Sequence, residues 1–402
     1  MPRTFTAMMQ LPNNSCRRHV IDPVVPHSPL LFRASDMNAI GLEIEMQLLD
    51  SNSLDLSEGI MRLMDFYPGD GCIKPEFIQN TVEICTPVCH TIEDLDRELR
   101  GRVLDLQKHC HQLGMTLCAA GSHPFNRSLA SITPMPRYLE QAAREGFTSH
   151  TQITFATHVH LGMRSGEEAI HLMHAIKRYL PLLIAVSANS PFWRGYDTNY
   201  AAYRHHVLAA TRSYGIPPSF SSWKEFARFL CVTRKAGIFR SVNDIHWDIR
   251  PRPQLGSLEI RVMDAQPCVS DAVALAAFIQ AIVAWLRENS HHGRDNRSEP
   301  IAEWVARDNH YQAAHYGLQA IYYDHEKDTK SPMLEHFEES TLMIDDIMHS
   351  MKLEKYFDHL KKNVAASGGA AFQREVYRKT GSFYAVMAAL VDRLNKDIGW
   401  QV

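Results

Sequence analysis

The chain reads as an α+β protein built on a largely antiparallel sheet. Three observations predict this. Segments of apolar–polar alternation fall almost entirely before residue 265, helical periodicity dominates after it, and strands and helices do not alternate in the βαβ rhythm of a parallel sheet.

Taken in order, residues 1–35 hold five prolines and two histidines without periodicity, which predicts a loosely ordered extension without chemistry. A single domain is expected over 36–402, its C-terminal part helical. Gly41–Leu49 alternates and reads as a strand, and Thr81–Thr86 as a second. Thr91–Leu113 is a predicted helix: Thr91 suits the cap, Asp94 stands three residues on, and Ile92, Leu95, Leu99, Val103 and Leu106 recur at helical spacing, with Gly114 as the stop. Met115–Ala120 reads as a strand and 121–150 as a long loop over a site. Ala156–Gly162 is a predicted strand, Glu167–Val186 one buried helix, 187–222 loop, and Ser222–Val232 a short helix. Strands are expected at Asp244–Arg250 and Ser257–Met263, joined by a turn over Pro251–Gly256. Ser270 is placed to cap a long helix reaching Arg287, and beyond residue 300 the pattern is helical, broken near Gly368–Gly369.

Composition narrows the function classes. The 402 residues are 45% hydrophobic and 22% charged, with a formal net charge of −3, so no global basic field draws the chain to nucleic acid or an anionic membrane. Its apolar runs, Leu180–Val186 and Ala272–Leu286 among them, read as too short or too polar to span a bilayer, and no signal-peptide core follows Arg3, Arg17 and Arg18. A cytoplasmic protein is expected. Its eight cysteines show no C-x-x-C spacing and read as reduced, mostly buried thiols. The apolar stripes of the C-terminal helices suit either covering the core or joining two copies in a homodimer.

The strand faces carry the chemistry. Leu42, Ile44 and Met46 share one face of the first strand; Glu43, Glu45 and Gln47 share the other. Val82 and Ile84 oppose Glu83 and Cys85, Val159 and Leu161 oppose His158 and His160, and Leu258, Ile260 and Val262 oppose Glu259 and Arg261. If the four strands share a sheet, four glutamates, two histidines and an arginine converge on one surface. Carboxylates crowded in a shielded hollow repel one another, and oxygen-rich sites with an occasional imidazole suit Mg²⁺ or Mn²⁺. Taken alone, E-x-E also fits the solvated face of a half-covered sheet, H-x-H fits satisfied structural histidines, and Glu259 with Arg261 fits an ordinary cross-strand pair. Glu76 stands seven residues before Glu83 and points the same way only if the strand breaks near Gln79–Asn80.

At these residues the chain resembles the type 2 glutamate–cysteine ligase family, in its YbdK-type carboxylate–amine ligase branch. The segments that carry the resemblance are GLEIEMQLLD (41–50), FIQNTVEICTPVC (77–89), GSHPF (121–125), THVHLGM (157–163), SANSPFWRGYDT (187–198), DIHWDIRPRPQLGSLEIRVMDAQ (244–266) and, less closely, YQAAHYGLQA (311–320). It implies a glutamine-synthetase-like catalytic fold, a curved, mainly antiparallel sheet with helices on its outer face. It also implies an ADP-forming ligase of small molecules that activates a carboxylate as an acyl phosphate and couples it to an amine, glutamate and cysteine being the expected pair. By motif matching, Glu43, Glu45, Glu76, Glu83, His158 and Glu259 become metal ligands, and Glu43 and Arg261 the catalytic pair. Arg261, Arg250 and His160 fall on the ATP-phosphate side. Arg204, Arg252 and His123 are substrate-binding candidates, although surface salt links beside a turn suit Arg250 and Arg252, and a plain loop role suits His123, equally well. ATP rests on the resemblance alone, since neither G-x-x-x-x-G-K-[ST] nor G-x-G-x-x-G after a strand is present. The competing classes are a metal-dependent amide hydrolase on the same face and a non-catalytic small-molecule sensor that kept the pocket.

Overall fold

In the computed structural model the alternating segments pair into one seven-stranded sheet. The structure describes residues 30–67, 69, 71–289, 300–325 and 327–401. The strands are β1 (Ile40–Asp50), β2 (Ile73–Pro75), β3 (Thr81–Cys85), β4 (Met115–Cys118), β5 (Ala156–Gly162), β6 (Ile249–Arg252) and β7 (Ser257–Asp264). Their order is β6–β7–β5–β1–β3–β2, with β4 also on β1, and every pairing is antiparallel. At 11 residues β1 is long enough to serve three neighbours in succession, β5 first, β3 in the middle and β4 at its end.

One face of the sheet is closed by apolar burial. Leu42, Ile44, Met46, Leu48, Val82, Ile84, Val159, Leu161, Leu258 and Ile260 are all essentially inaccessible, and each such side chain contributes about 1.5–3 kcal/mol. Over it lie α1 (Ile92–Gln112), α2 (Gly166–Ile176), α3 (Leu180–Ser187) and α4 (Val269–Asn289). Thr91 caps α1 by accepting from the Asp94 N–H at 3.1 Å, and Gly114 takes the positive φ that ends it. Beyond α4 the chain forms α5 (Pro300–Tyr316), a hairpin over 321–332, and further helices, among them α6 (Glu354–Ala365), α7 (Gly368–Thr380) and α8 (Phe383–Ile398). The last of these drives Val386, Met387 and Leu390 against Leu49, Cys118 and Phe192 at one end of the sheet.

Several expectations are corrected. The single helix at 167–186 is two, because Pro181 lacks an N–H and forces a break through a 3₁₀ turn at Lys177–Tyr179. The loop over 121–150 contains the helix Pro136–Glu145, started by Pro136 but carrying too few apolar residues for periodicity to reveal it. The 321–332 hairpin is likewise invisible in a stretch of mixed polarity. The segment before residue 36 is fastened at its end: the Arg33 N–H donates to the Pro253 carbonyl and the Ser35 N–H to that of Met163. The rest of the expected extension, residues 1–29, lies outside the described residues. By length and composition, residues 166–187 and α4 are apolar enough to cross a membrane, contrary to expectation for α4, but both are mostly buried against the sheet and its helices. Seven cysteines are free thiols among the described residues, five of them buried.

Candidate active site

The second face of the sheet is where the register gathers charge. Glu43 pairs with His158 on one side and Cys85 on the other, Glu45 with Glu83, and Glu83 with Lys74 of β2. Across β5 and β7, His160 pairs with Glu259, which pairs with Arg250. Antiparallel pairing keeps partners on one face, so the four charged faces read from sequence form one surface. Ligand atoms of Glu43, His158 and Glu259 lie within 4.8 Å of one another.

Glu43 sits at the centre. Its Oε2 is 3.4 Å from His158 Nδ1, and its Oε1 is 3.4 Å from His160 Nε2. Burial alone raises this carboxyl, but attraction to His160 and hydrogen bonds with His158 and His160 outweigh it and hold the group far below the usual range. Glu45 lies 3.9 Å from His158 Nε2 and accepts the Ala156 N–H at 2.7 Å. Chain direction does break at Gln79–Asn80, where β2 has ended and a turn precedes β3, so Glu76 faces the same hollow. Burial, then repulsion from Glu83 and Glu45, pushes its carboxyl well above the ordinary value. Glu45 opposite Glu83, with Glu76 beside both, is an arrangement that like charges disfavour and a divalent cation resolves. By their oxygen-rich chemistry, Glu43, Glu45, Glu76, Glu83 and His158 fit Mg²⁺ or Mn²⁺.

The other half of the face is basic. Glu259, fully buried, is gripped by Arg250 through both oxygens (3.0 and 3.1 Å) and by Arg252 at 2.8 Å, with Arg261 Nε at 3.7 Å. Burial raises Glu259, but Arg250, Arg252, His160 and Arg261 overcome this and depress it well below normal. Both carboxylate oxygens are therefore already bonded, and Glu259 acts as the anchor of an arginine cluster. Arg250 Nη1 donates to the Asn243 and Ile245 carbonyls, which leaves one Nη2 N–H without an acceptor among the described residues. Arg261 differs: its Nε and Nη1 are buried with no hydrogen-bond partner, the arrangement of a guanidinium held ready for an anion.

A one-residue bulge in β7, between Ile260 and Met263, shifts the alternation beyond it. Asp264 consequently turns to the charged face opposite Ala156. There it accepts from the Asn189 N–H and the Ser190 hydroxyl (2.9 and 2.7 Å). Two candidates are tied into the fold. Arg204 is 2% exposed; its Nη1 and Nη2 donate to the Val262 and Arg261 carbonyls, with Asp264 at 4.0 Å, so these groups hold the bulge, while Nε is buried without a hydrogen-bond partner. His123 is equally buried; Nε2 bonds the Leu54 carbonyl and Nδ1 accepts the Asn126 N–H, which leaves no ring nitrogen for a ligand. Lys74 was missed. Its ammonium is 3.5 Å from Glu83 and 3.1 Å from Cys85 Sγ, and the signal available in sequence was its two-residue spacing from Glu76.

With this geometry in place, comparison with known proteins becomes informative. A family model described as glutamate-cysteine ligase family 2 matches residues 39–389. The chain belongs to that family. It is 38% identical over 371 residues to a Trichormus variabilis protein named "Putative glutamate–cysteine ligase 2", covering 91% of this chain and 95% of the relative. A Gloeobacter violaceus protein of the same name is 30% identical over 89% of this chain and 97% of its own length. Among solved structures, the fold matches a Francisella tularensis glutamate–cysteine ligase in complex with AMP (TM-score 0.64, 13% identity, 92% of this chain and 94% of that one). It also matches a bifunctional glutathione synthetase from Pasteurella multocida (TM-score 0.69, 14% identity, 90% of this chain), of which it spans 52%. The glutamine-synthetase-like architecture expected from the resemblance is the one found. As a family member the chain is an ATP-dependent carboxylate–amine ligase.

Proposed function

We propose that this ligase phosphorylates a small-molecule carboxylate and couples it to an amine, glutamate and cysteine being the leading pair. The observation that carries the reading is the division of one sheet face into an acidic hollow around Glu43 and an arginine cluster in which only Arg261 keeps buried, unpartnered Nε and Nη1 donors. A carboxylate oxygen attacks the γ-phosphorus, the bond to the β–γ bridging oxygen breaks, and ADP leaves. The amine then attacks the acyl carbon, phosphate departs with the C–O bonding pair, and the nitrogen loses a proton.

Glu43, Glu45, Glu76, Glu83 and His158 are the residues that would hold Mg²⁺ or Mn²⁺, whose part when bound is to neutralise the phosphate oxygens. His160 fixes Glu43 from the second side, Glu259 positions Arg252 and Arg261, and the free donors of Arg261 stabilise charge on the transferring phosphoryl group. Both charge-bearing groups are set by rigid strands, so little reorganisation accompanies the transfer. The same face argues against the hydrolase alternative, because its carboxylates do not form a closed His/Asp zinc set. Purified protein with ATP, Mg²⁺, glutamate and a panel of amines is expected to release ADP only when both co-substrates are present. Amide hydrolysis without ATP, or binding with no turnover, would sink the proposal.

A further inference from the structure

Away from the glutamate hollow, a second set of ligand-bearing side chains closes on itself. His205 comes from the short helix Arg204–Leu208, Asp248 from the residue before β6, and His310 from α5. One ligand atom from each lies within 4.8 Å of the other two. Asp248 is wholly buried, His205 is 6% exposed, and the His310 side chain 13% exposed.

What these groups lack is as informative as where they sit. His310 Nε2 is 2.9 Å from Asp248 Oδ2, but Asp248 Oδ1 and His205 Nε2 have no hydrogen-bond partner. A buried polar atom without a partner is costly, and native interiors rarely tolerate one. An ion pair with His310 alone would still leave Asp248 Oδ1 and His205 Nε2 unsatisfied. A single dication meets the need of all three.

We propose that His205, Asp248 and His310 form a binding site for a first-row transition-metal dication of the Zn²⁺ type, which fastens α5 to the sheet. Two imidazoles and one carboxylate favour such an ion over Mg²⁺, which prefers an all-oxygen shell. The Tyr214 hydroxyl lies 2.6 Å from His205 Nδ1, which orients the ring and leaves Nε2 as the ligand, a hydrogen-bonded backing typical of ligating histidines. The two imidazole rings stand at 86° with centroids 5.9 Å apart, so their edges can meet at one point. None of the three residues belongs to the acidic hollow, and the three ligands tie together segments far apart in sequence.

The test uses the full chain stripped with chelator and titrated with Co²⁺, whose visible absorption is strong in low-coordinate nitrogen-containing sites. One equivalent is expected to bind with such bands, Zn²⁺ to displace it, and Zn²⁺ alone to raise the melting temperature. Asp248→Asn and His310→Gln are each expected to weaken Co²⁺ binding by about 100-fold or more, while Glu43→Gln keeps the bands. Near-ultraviolet circular dichroism of the stripped variants checks folding, and His310→Gln, on a partly exposed side chain, carries the test if Asp248→Asn does not fold. Absence of the bands in the parent protein overturns the site. So does their persistence in a folded His310→Gln variant, or their loss in Glu43→Gln.

Discussion

Glu43 and Arg204 are both charged, both shielded, and both placed near β7, yet the fold uses them oppositely. Glu43 stands on the regular part of the sheet, where its neighbours across the strands are other titratable groups and its oxygens face a shared hollow. Arg204 stands on a short helix beyond the sheet, and its Nη1 and Nη2 are turned to two carbonyls, with Asp264 4.0 Å away. His123, in the loop after β4, is spent the same way on Leu54 and Asn126. A strand face delivers side chains to a surface whose occupancy is open to ligands. A buried loop must first satisfy its own backbone, and polar side chains are what it uses.

The largest expected effect separates these two uses. Glu43→Gln should reduce ligase turnover by at least about 100-fold while the melting temperature stays within a few degrees, because Gln keeps the side chain's shape and can still hydrogen-bond His158 and His160. ADP release and a thermal melt on the same preparation check both halves, and a collapse of stability would make Glu43 structural. Arg204→Ala should do the reverse. It removes the positive charge beside buried Asp264 and the donors to two carbonyls, and is expected to cost about 3 kcal/mol of stability, read by urea unfolding, with the KM for the amino-acid substrate in the folded fraction unchanged. A raised KM with intact stability would return Arg204 to the substrate site.

This difference also explains what the sequence disclosed. Residue alternation is a property of any strand, so Glu43, Glu45, Glu83, His158, His160, Glu259 and Arg261 could be placed on one face before their pairing was known. The need for a break at Gln79–Asn80 to bring Glu76 into line was also legible. Alternation could not show the bulge in β7, which requires knowing the partner strand and which turns Asp264 inward. Nor could it show that Glu259 and Arg250 satisfy each other, since that follows from β6 and β7 lying side by side. Arg204 and His123 sit where no strand period applies, and His205, Asp248 and His310 come from three separate elements whose approach no single period reveals. For such residues a motif supplies a position in the chain but no orientation.

Arg261→Lys sharpens the contrast within the basic half itself. Lysine keeps the charge but loses the planar fork, so kcat/KM for ATP should fall about 10-fold, while unfolding stability barely moves because Arg261 Nε and Nη1 make no hydrogen bond and the charge beside Glu259 is kept. The matching Arg250→Lys change should move stability more than rate, since all its contacts are internal. Steady-state kinetics and urea melts on the pair decide whether one arginine serves the substrate and the other the fold.

The smallest effect tests the loop reading of His123. Burial lowers its imidazole to about 4, and neither the Leu54 carbonyl nor the distant Asp55 charge offsets that. In the unfolded chain the same group titrates near its ordinary value of about 6.5. Between these two values the unfolded state binds more protons than the folded one, so the contribution to stability is complete above about 6.5 and is lost as pH falls toward 4. His174 and His336 are also lowered by burial to about 4 and act in the same window, so one replacement removes only part of the slope. His123→Asn, which retains a donor and an acceptor, should reduce the stability lost between pH 7 and pH 5 by on the order of 1 kcal/mol. Urea midpoints at the two pH values measure it. An unchanged slope would mean that the ring already accepts a proton in the folded protein, and that His123 faces something other than its own loop.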